Sequence, residues 1–270
     1  MKITFLGGGN MAAALIGGLL KQGFKAEDLQ AIELTAEGRD KLAGSFGVRA
    51  VESVDEQALA CDVLVLAVKP QQLREAVAPM AGRLTRQVVV SIAAGLRLVD
   101  IGRWLGGYGT LVRAMPNTPA LIGAGITGLF ASAGVDEAGR TAAERVLAAV
   151  GSTVWVADEA QIDGVTAISG SGPAYVFHFI ESLQAAGESI GFDGDTARKL
   201  AIDTVLGAAR LAAGSDESPG VLRERVTSKG GTTAAALASF AADGFPAVVE
   251  RAVRAAEARG RELGEQLGRD

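Results

Sequence analysis

Several groups on which protein chemistry often relies are scarce in this sequence. Its 270 residues include one cysteine, Cys61, and one histidine, His178. A single cysteine excludes an intramolecular disulfide and a multi-cysteine metal site, and a free thiol suits a reducing cytoplasm. A single histidine excludes chemistry that leans on a histidine pair. Within the apolar run Tyr175-Val176-Phe177-His178-Phe179 it reads as a packed or capped helix histidine. Tyr108 and Tyr175 are the only tyrosines, and neither is followed by lysine four residues on, which argues against a Tyr/Lys dehydrogenase arrangement. Basic residues are outnumbered, 26 against 31 acids, so the surplus of positive charge expected of a nucleic-acid binder is missing. Long apolar runs are missing too: Val63 to Val68 is the longest away from the N-terminus, far below the ~20 residues that span a bilayer. Met1 to Leu20 is mostly apolar, but Gly7-Gly8-Gly9-Asn10 interrupts it, Lys2 is a meagre basic region and no A-x-A-type site follows, so a secretory signal is not expected. Only seven prolines accompany 36 glycines, roughly double the ~7% usual share of glycine, and no period repeats, which excludes collagen and disorder.

What is present suits a soluble globule: 49% apolar and 21% charged residues, in a length that fits one large domain or two modest ones. Residues 2 to 157 alternate short strand and helix signals. Strands are expected at Lys2–Leu6, Leu29–Leu34, Val48–Val51, Asp62–Val68, Gln87–Ile92, Thr110–Ala114, Ile126–Ala131 and Thr153–Val156. The Asp62–Val68 run has no polar alternation, as expected of a strand covered on both faces. Between the strands, Asn10 to Lys21 reads as a helix, Thr35 caps another, Pro70 opens a third, and further helices fall near Val99–Leu105 and Asp136–Val150. That order predicts an α/β domain, a doubly wound parallel sheet, over residues 1–157. After Val156 the strand signal ends. Five helices are expected, starting at Pro173, Asp195, Pro219, Thr232 and Pro246, so residues 158–270 form an all-α domain. Its apolar surface, Val248, Val249, Ala252, Val253 and Ala256 for example, exceeds what isolated helices hide and calls for a helical dimer interface.

Directly after the first strand, Gly7-Gly8-Gly9-Asn10-Met11-Ala12 fits G-x-G-x-x-A, the dinucleotide fingerprint of a Rossmann-like domain. Gly7 permits the tight turn, Gly9 lets the backbone approach a pyrophosphate, and Ala12 packs on the strand, while the helix from Asn10 aims free N–H groups at the phosphates. Glu33, at the end of the second strand, accepts hydrogen bonds from a ribose 2′-OH and repels a 2′-phosphate, which alone favours NADH; Arg39, one turn later, reads as a solvated arginine within reach of a phosphate. Val68-Lys69-Pro70, Ser91 to Gly95, Met115 to Pro119 and Gly123 to Gly125 lie at the carboxyl ends of strands, where such a sheet puts its ligand, and their small residues leave room for a nicotinamide ring. In the helical half, Ser169-Gly170-Ser171-Gly172-Pro173 and Thr227-Ser228-Lys229-Gly230-Gly231-Thr232-Thr233 each lead into a helix. One hydroxyl per helix is explained by capping. The second cluster holds more hydroxyls and glycines than a cap needs, and the N–H groups of Gly230 to Thr233 form an anion site suited to a substrate carboxylate.

Taken with Ala67-Val68-Lys69-Pro70-Gln71, Arg113 to Ala120 and the serine-glycine run ending Pro173-Ala174-Tyr175, these motifs follow one another through the chain in the order that resembles pyrroline-5-carboxylate reductase. The resemblance implies reduction of the cyclic imine of 1-pyrroline-5-carboxylate to L-proline, the last step of proline synthesis, with NADPH or NADH as hydride donor in the cytoplasm. It implies that Gly8, Asn10 and Met11 touch the cofactor phosphates, Glu33 the adenosine ribose, and Val68, Lys69, Pro70, Ala94 and Asn117 the rest of the dinucleotide. It places Ser228, Gly230, Gly231, Thr232 and Thr233 at the substrate, with Glu159 nearby, and Thr233 as the hydroxyl on the imine nitrogen. It further implies homodimers, often five in a ring, whose site combines one Rossmann domain with the partner's helices, and no membrane or nucleic-acid partner. Two positions depart from the family: Lys229 stands where proline is usual, loosening the loop while adding a cation, and Glu33 stands where a small polar residue accompanies NADPH.

Two rival functions are weaker. A β-hydroxyacid-type dehydrogenase needs a helix-borne lysine as acid, but Lys199, the obvious nominee, has Asp195 and Asp203 four residues to either side and reads as an ion-pair face. A non-catalytic nucleotide sensor needs no second anion pocket, which the cluster at 227–233 supplies.

Overall fold

The computed structural model describes residues 1–269. It divides into two compact units, Met1–Ser171 together with the C-terminal residues from Ala255 onward, and Gly172–Arg254. The first unit is built on eight strands: β1 (Ile3–Leu6), β2 (Leu29–Ile32), β3 (Arg49–Val51), β4 (Val63–Leu66), β5 (Val88–Ser91), β6 (Leu111–Met115), β7 (Gly125–Ala131) and β8 (Gly151–Trp155). They form one sheet in the order β3-β2-β1-β4-β5-β6-β7-β8. Its helices are α1 (Asn10–Lys21), α2 (Ala36–Phe46), α3 (Glu56–Leu59), α4 (Pro70–Val77), α5 (Leu98–Trp104), α6 (Glu137–Leu147) and α7 (Gln161–Val165). The end of the strand signal near residue 157 marks the end of this sheet; α7 packs back on β6 and β7.

Period-two alternation assigns each strand residue to one of two cores. Ile3 and Phe5, Val63 and Val65, Val88 and Val90, Val112 and Ala114 face one side, with α1 and α6 residues such as Leu15 and Val146. Leu6, Leu64, Leu66, Val89 and Leu111 face the other, with Leu73, Val77 and Ile101 from α4 and α5. Both faces being covered is why Val63-Leu64-Val65-Leu66 carries no polar position. On α1, the buried residues Ala12, Leu15, Ile16 and Leu19 recur at helical spacing, and the turn closes at Gly23, whose φ is +90°. Pro70 stands in the first turn of α4, and the Thr35 hydroxyl accepts from the Gly38 N–H to cap α2.

One strand departs from the all-parallel expectation. β7 runs antiparallel to β6, with Val112 opposite Ala131 and Met115 opposite Gly128, while every other pairing is parallel. The reason is the connection: Asn117 to Ala124 is too short for a crossover helix and forms a 3₁₀ turn, Thr118–Ile122, closed by Gly123 at φ +73°. The last turns of α12 (Phe245–Leu267) also pack in this unit. Gly264 lies against the Gly95 carbonyl so closely that a Cβ would come within 2.5 Å of its oxygen, Arg103 Nη2 donates to the Gly268 carbonyl at 2.9 Å, and Leu267 packs on the second core.

The second unit contains α8 (Gly172–Ser189), α9 (Gly194–Ala213), α10 (Pro219–Arg225), α11 (Thr232–Ala242) and the start of α12. Pro173 takes the second position of α8, one later than the sequence suggests. This unit buries only Ala197 and Ala201 among its described residues. Large apolar side chains along it stand open, among them Phe177, Phe179, Leu211, Phe240, Val248 and Val249. His178 is not packed either: its side chain is 80% exposed, with Nδ1 3.3 Å from Glu181 Oε2. No single described helix is long and apolar enough to cross a membrane; α11 and α12 meet the length and composition test only as a pair, bent by 53°.

The packing of α1 makes a prediction in which two effects compete. Glycine to alanine inside a helix ordinarily gains about 1 kcal/mol of helix propensity. At Gly18 the added methyl falls inside contact distance of the Ala149 carbonyl, a backbone atom that cannot step aside. Gly18→Ala should therefore destabilise the protein by about 1–3 kcal/mol, the usual cost of overpacking. Gly44→Ala, on an open face of α2, should stabilise it. Thermal melts of both variants decide the point; a rise in Tm for Gly18→Ala contradicts it.

Candidate active site

The strand register fixes where loops converge. Leu6 of β1 pairs with Leu66 of β4, and Leu66 with Ser91 of β5, so three parallel strands end at one level beside the point where strand order reverses between β1 and β4. A crevice opens there in α/β sheets. Its floor is the Gly7–Asn10 loop. Gly7 has φ +98°, and a Cβ on it would stand 2.8 Å from both the Ala67 carbonyl oxygen and Val68 Cγ1, so no other residue fits the turn. Gly8 is pressed against Leu42 and Glu33, whereas Gly9 faces open space. Gly9 is the N-cap of α1 and brings no side-chain acceptor, which leaves the first-turn amides of Asn10, Met11 and Ala12 with the positive end of the helix dipole. An open approach at Gly9, bare amides and a buried Ala12 fit a dinucleotide diphosphate.

Glu33 closes this loop. Its Oε2 accepts from the Gly8 N–H at 2.9 Å, and its Oε1 from the Thr35 N–H at 3.0 Å and the Thr35 hydroxyl at 2.7 Å. Burial pushes the carboxyl up, but the two Thr35 donors, the Gly8 amide and the Arg39 charge outweigh it and hold Glu33 below the usual glutamate range. It is therefore an anion at neutral pH. Arg39 is less free than a solvated arginine: Nη1 donates to the carbonyls of Glu33 and Leu34 at 2.9 and 2.7 Å, and Nη2 lies 3.3 Å from Glu52.

The other strand ends bring their segments to the same edge. Lys69 is exposed and is the N-cap of α4. Ala94 is exposed, beside Gly95 at φ +81°. Asn117 is buried and braced: Nδ2 donates to the Ser169 carbonyl at 3.2 Å and Oδ1 accepts from the Ile126 N–H at 3.0 Å. Glu159 is engaged as well, its Oε1 accepting from the Leu98 N–H at 2.7 Å and lying 3.5 Å from Arg113 Nη1. Arg113 Nη2 in turn meets Asp163 Oδ1 at 2.8 Å. Sequence reasoning gave Arg113 and Asp163 no role. The available signal was a charge inside the apolar strand Leu111-Val112-Arg113-Ala114-Met115, which needs a buried partner.

In the helical unit, α10 and α11 are joined by residues 226–231. The Gly231 N–H donates to the Ser228 carbonyl at 3.0 Å, Gly230 takes φ +73°, and Thr227 Oγ1 donates to the Arg223 carbonyl at 2.6 Å. No side chain caps α11, whose N-cap is Gly231. Capping therefore does not account for this hydroxyl-rich cluster. Its first-turn amides are left without a side-chain acceptor, with Thr233 half-buried and Thr232 and Lys229 exposed beside them. Lys199 pairs with Asp203 at 2.6 Å on an exposed face, as a solvated ion pair.

Comparison with known proteins finds two profile matches and full-length relatives. Residues 159–263 match the profile described as pyrroline-5-carboxylate reductase dimerisation, and residues 2–95 match the one described as NADP oxidoreductase coenzyme F420-dependent. A pyrroline-5-carboxylate reductase of Pseudomonas aeruginosa is 49% identical over 268 residues, covering 99% of this chain and 98% of that one. The solved structure of a pyrroline-5-carboxylate reductase from Coxiella burnetii superposes with a TM-score of 0.92 at 40% identity, over 97% of this chain and 98% of its own. The Plasmodium falciparum pyrroline carboxylate reductase, solved with NADP bound, gives a TM-score of 0.84 at 29% identity, over 98% of each chain. With a Rossmann-like unit, helices that match a dimerisation profile and relatives matched from end to end, the chain belongs to the pyrroline-5-carboxylate reductase family.

Proposed function

We propose that the chain reduces the cyclic imine of 1-pyrroline-5-carboxylate to L-proline with a hydride from NAD(P)H, the last step of proline biosynthesis. The observation that carries this reading is the presence, in one chain, of two helices whose N-cap is a glycine without a side-chain acceptor, α1 after Gly9 and α11 after Gly231, each leaving first-turn amides bare. One suits a diphosphate and the other a carboxylate. When bound, the reduced nicotinamide supplies the hydride. Every other task falls to the chain. Gly7, Gly8, Gly9, Asn10 and Met11 hold the diphosphate. Val68, Lys69, Pro70, Ala94 and the Asn117 segment line the strand ends where the nicotinamide half belongs. Ser228, Gly230, Gly231 and Thr232 hold the substrate carboxylate, with Lys229 adding a charge that the family's proline lacks. The Thr233 hydroxyl oxygen accepts from the N–H of the protonated imine, and with that proton kept the C=N carbon stays electrophilic toward the hydride. No histidine is needed, because holding two reactants in line can supply about 7–11 kcal/mol of barrier reduction.

Glu33 sets cofactor preference. Ionised and held by Gly8 and Thr35, it accepts from ribose hydroxyls and repels a 2′-phosphate, which works against the NADPH usage common in the family and toward NADH. For assembly, the open apolar helices favour dimers joined through the helical unit, with five dimers in a ring.

The reaction is tested by following NADH or NADPH absorbance with 1-pyrroline-5-carboxylate. Thr233→Ala should lower kcat/KM roughly 10- to 100-fold, the loss of a hydrogen bond to a charged group; unchanged kinetics remove the role given to Thr233. Glu33→Ser should move the NADPH-to-NADH ratio of kcat/KM by about tenfold toward NADPH, or ~1.4 kcal/mol. A fixed ratio removes the role given to Glu33. Light scattering should give a ten-subunit mass; two subunits would discard the ring, and a monomer would discard both interfaces.

A further inference from the structure

The strongest polar feature outside the proposed contacts lies beneath the carboxyl edge of the sheet. The Arg113 side chain is 3% exposed, in a strand whose neighbours Val112 and Ala114 belong to the core. A buried charge is costly to desolvate, and well-packed apolar residues of similar size commonly replace such a pair without loss of stability. Stability therefore does not explain its presence. Its geometry suggests another use.

The guanidinium reaches Asp163 of α7 with Nη2 at 2.8 Å and Glu159 with Nη1 at 3.5 Å. The Glu159 oxygen on Arg113 also takes the Leu98 N–H, four residues after Ala94. Asn117, four residues beyond Arg113, makes a separate tie, to the Ser169 carbonyl after α7 and to the Ile126 amide of β7. Between these two ties, α7 runs into a π-helical turn, Thr166–Gly170, closed by the Ser171 N–H on the Thr166 carbonyl at 2.8 Å. Gly170 in that turn packs against the Met115 methyl, which a Cβ there would approach to 2.7 Å and displace. π-helical turns are rare and concentrate at functional sites. The buried cation thus connects β6 with α7 and, through Glu159, with the Leu98 amide after the Ala94 turn, next to the tie that Asn117 makes to Ser169.

We propose that Arg113, acting through Asp163 and Glu159, is a positioning residue for hydride transfer, fixing the segments that face the nicotinamide half of the cofactor in one mutual geometry. This assignment rests on the reading of Ala94 and Asn117 given above. It makes Glu159 a strut between Arg113 and the Leu98 amide. Charge-assisted hydrogen bonds are directional where apolar contacts slide, and a misplacement of about 1 Å can cost on the order of a hundredfold in rate.

The test removes Arg113 together with its closer partner, as Arg113→Met with Asp163→Leu, so that the more buried carboxylate is not left unpaired, while the part-exposed Glu159 keeps the Leu98 amide as a partner. Expected are a melting temperature close to that of the parent and a cofactor Kd within about threefold, because the Gly7–Asn10 loop is untouched. With 4-deuterated NADPH or NADH, kcat should fall at least tenfold and its primary isotope effect should rise. Full kcat with an unmoved isotope effect overturns the proposal. Amide exchange provides an arm independent of turnover: with Glu159 no longer braced by Arg113, Leu98 should exchange at least tenfold faster while β1 and β4 keep their protection, and unchanged exchange at that amide also overturns it. Should the double variant fail to fold, Arg113→Lys and Glu159→Gln are read by the same two measurements with the same meaning. A parent protein that turns over no 1-pyrroline-5-carboxylate would refute the proposed function instead, leaving the exchange arm to decide whether the tie exists.

Discussion

The cofactor assignments at the strand ends depend on the parallel register of β1, β4, β5 and β6. Because Leu6, Leu66 and Ser91 stand level, the loops that follow them open on one edge, and the reversal of strand order between β1 and β4 leaves a gap there that no crossover covers. A slip of one residue in any of these strands would exchange the two cores, placing Leu66 where Val65 now packs against α1 and α6. The register is therefore held by burial on both faces, and the position of the crevice is a consequence of packing. Function enters only in what the loops carry: glycines where backbone must be approached, and a carboxylate where the ribose is expected.

Polar groups inside the sheet unit mark its two ends. At one end, Gln30 Nε2 donates to the Thr4 hydroxyl and the Gln57 carbonyl, and Gln87 Nε2 to the Leu59 carbonyl, stapling the α3 segment to strand starts. At the other lie Ser91, Arg113, Asn117 and Asp163, all buried and all hydrogen-bonded. An apolar edge would tolerate several arrangements of its loops; satisfied directional bonds select one. The helical unit is built on the opposite plan. With two buried alanines and a row of open aromatic and branched side chains, it lacks a core of its own, in keeping with the dimerisation profile it matches.

Much of this was legible from residue order. Unbroken apolar runs located the central strands, Thr35 and Pro70 marked helix starts, and the glycine fingerprint gained its meaning from the strand before it and the helix after it. The direction of β7 was not legible, because Gly125 to Ala131 alternates in the same way whichever way the strand runs; the short loop from Asn117 was the only clue. The α3 turn and α7 were missed because four or five residues show too little of a helical period. His178 was misjudged because its apolar neighbours belong to a surface that the single chain leaves open. The partnership of Arg113 with Asp163 joins residues 50 positions apart and becomes visible only once β6 and α7 lie side by side.

The central physical claim is that a pyridine dinucleotide rests its diphosphate on the uncapped start of α1, with its adenosine ribose at Glu33. A crystal structure of the protein grown with NADPH or NADH tests this most directly. The diphosphate should lie within hydrogen-bonding distance of the amides between Gly9 and Met11, with a ribose hydroxyl at Glu33 and the nicotinamide toward Ala94 and Asn117. Electron density for the dinucleotide elsewhere on the chain, or none at the Gly7–Asn10 loop under saturating cofactor, would contradict it.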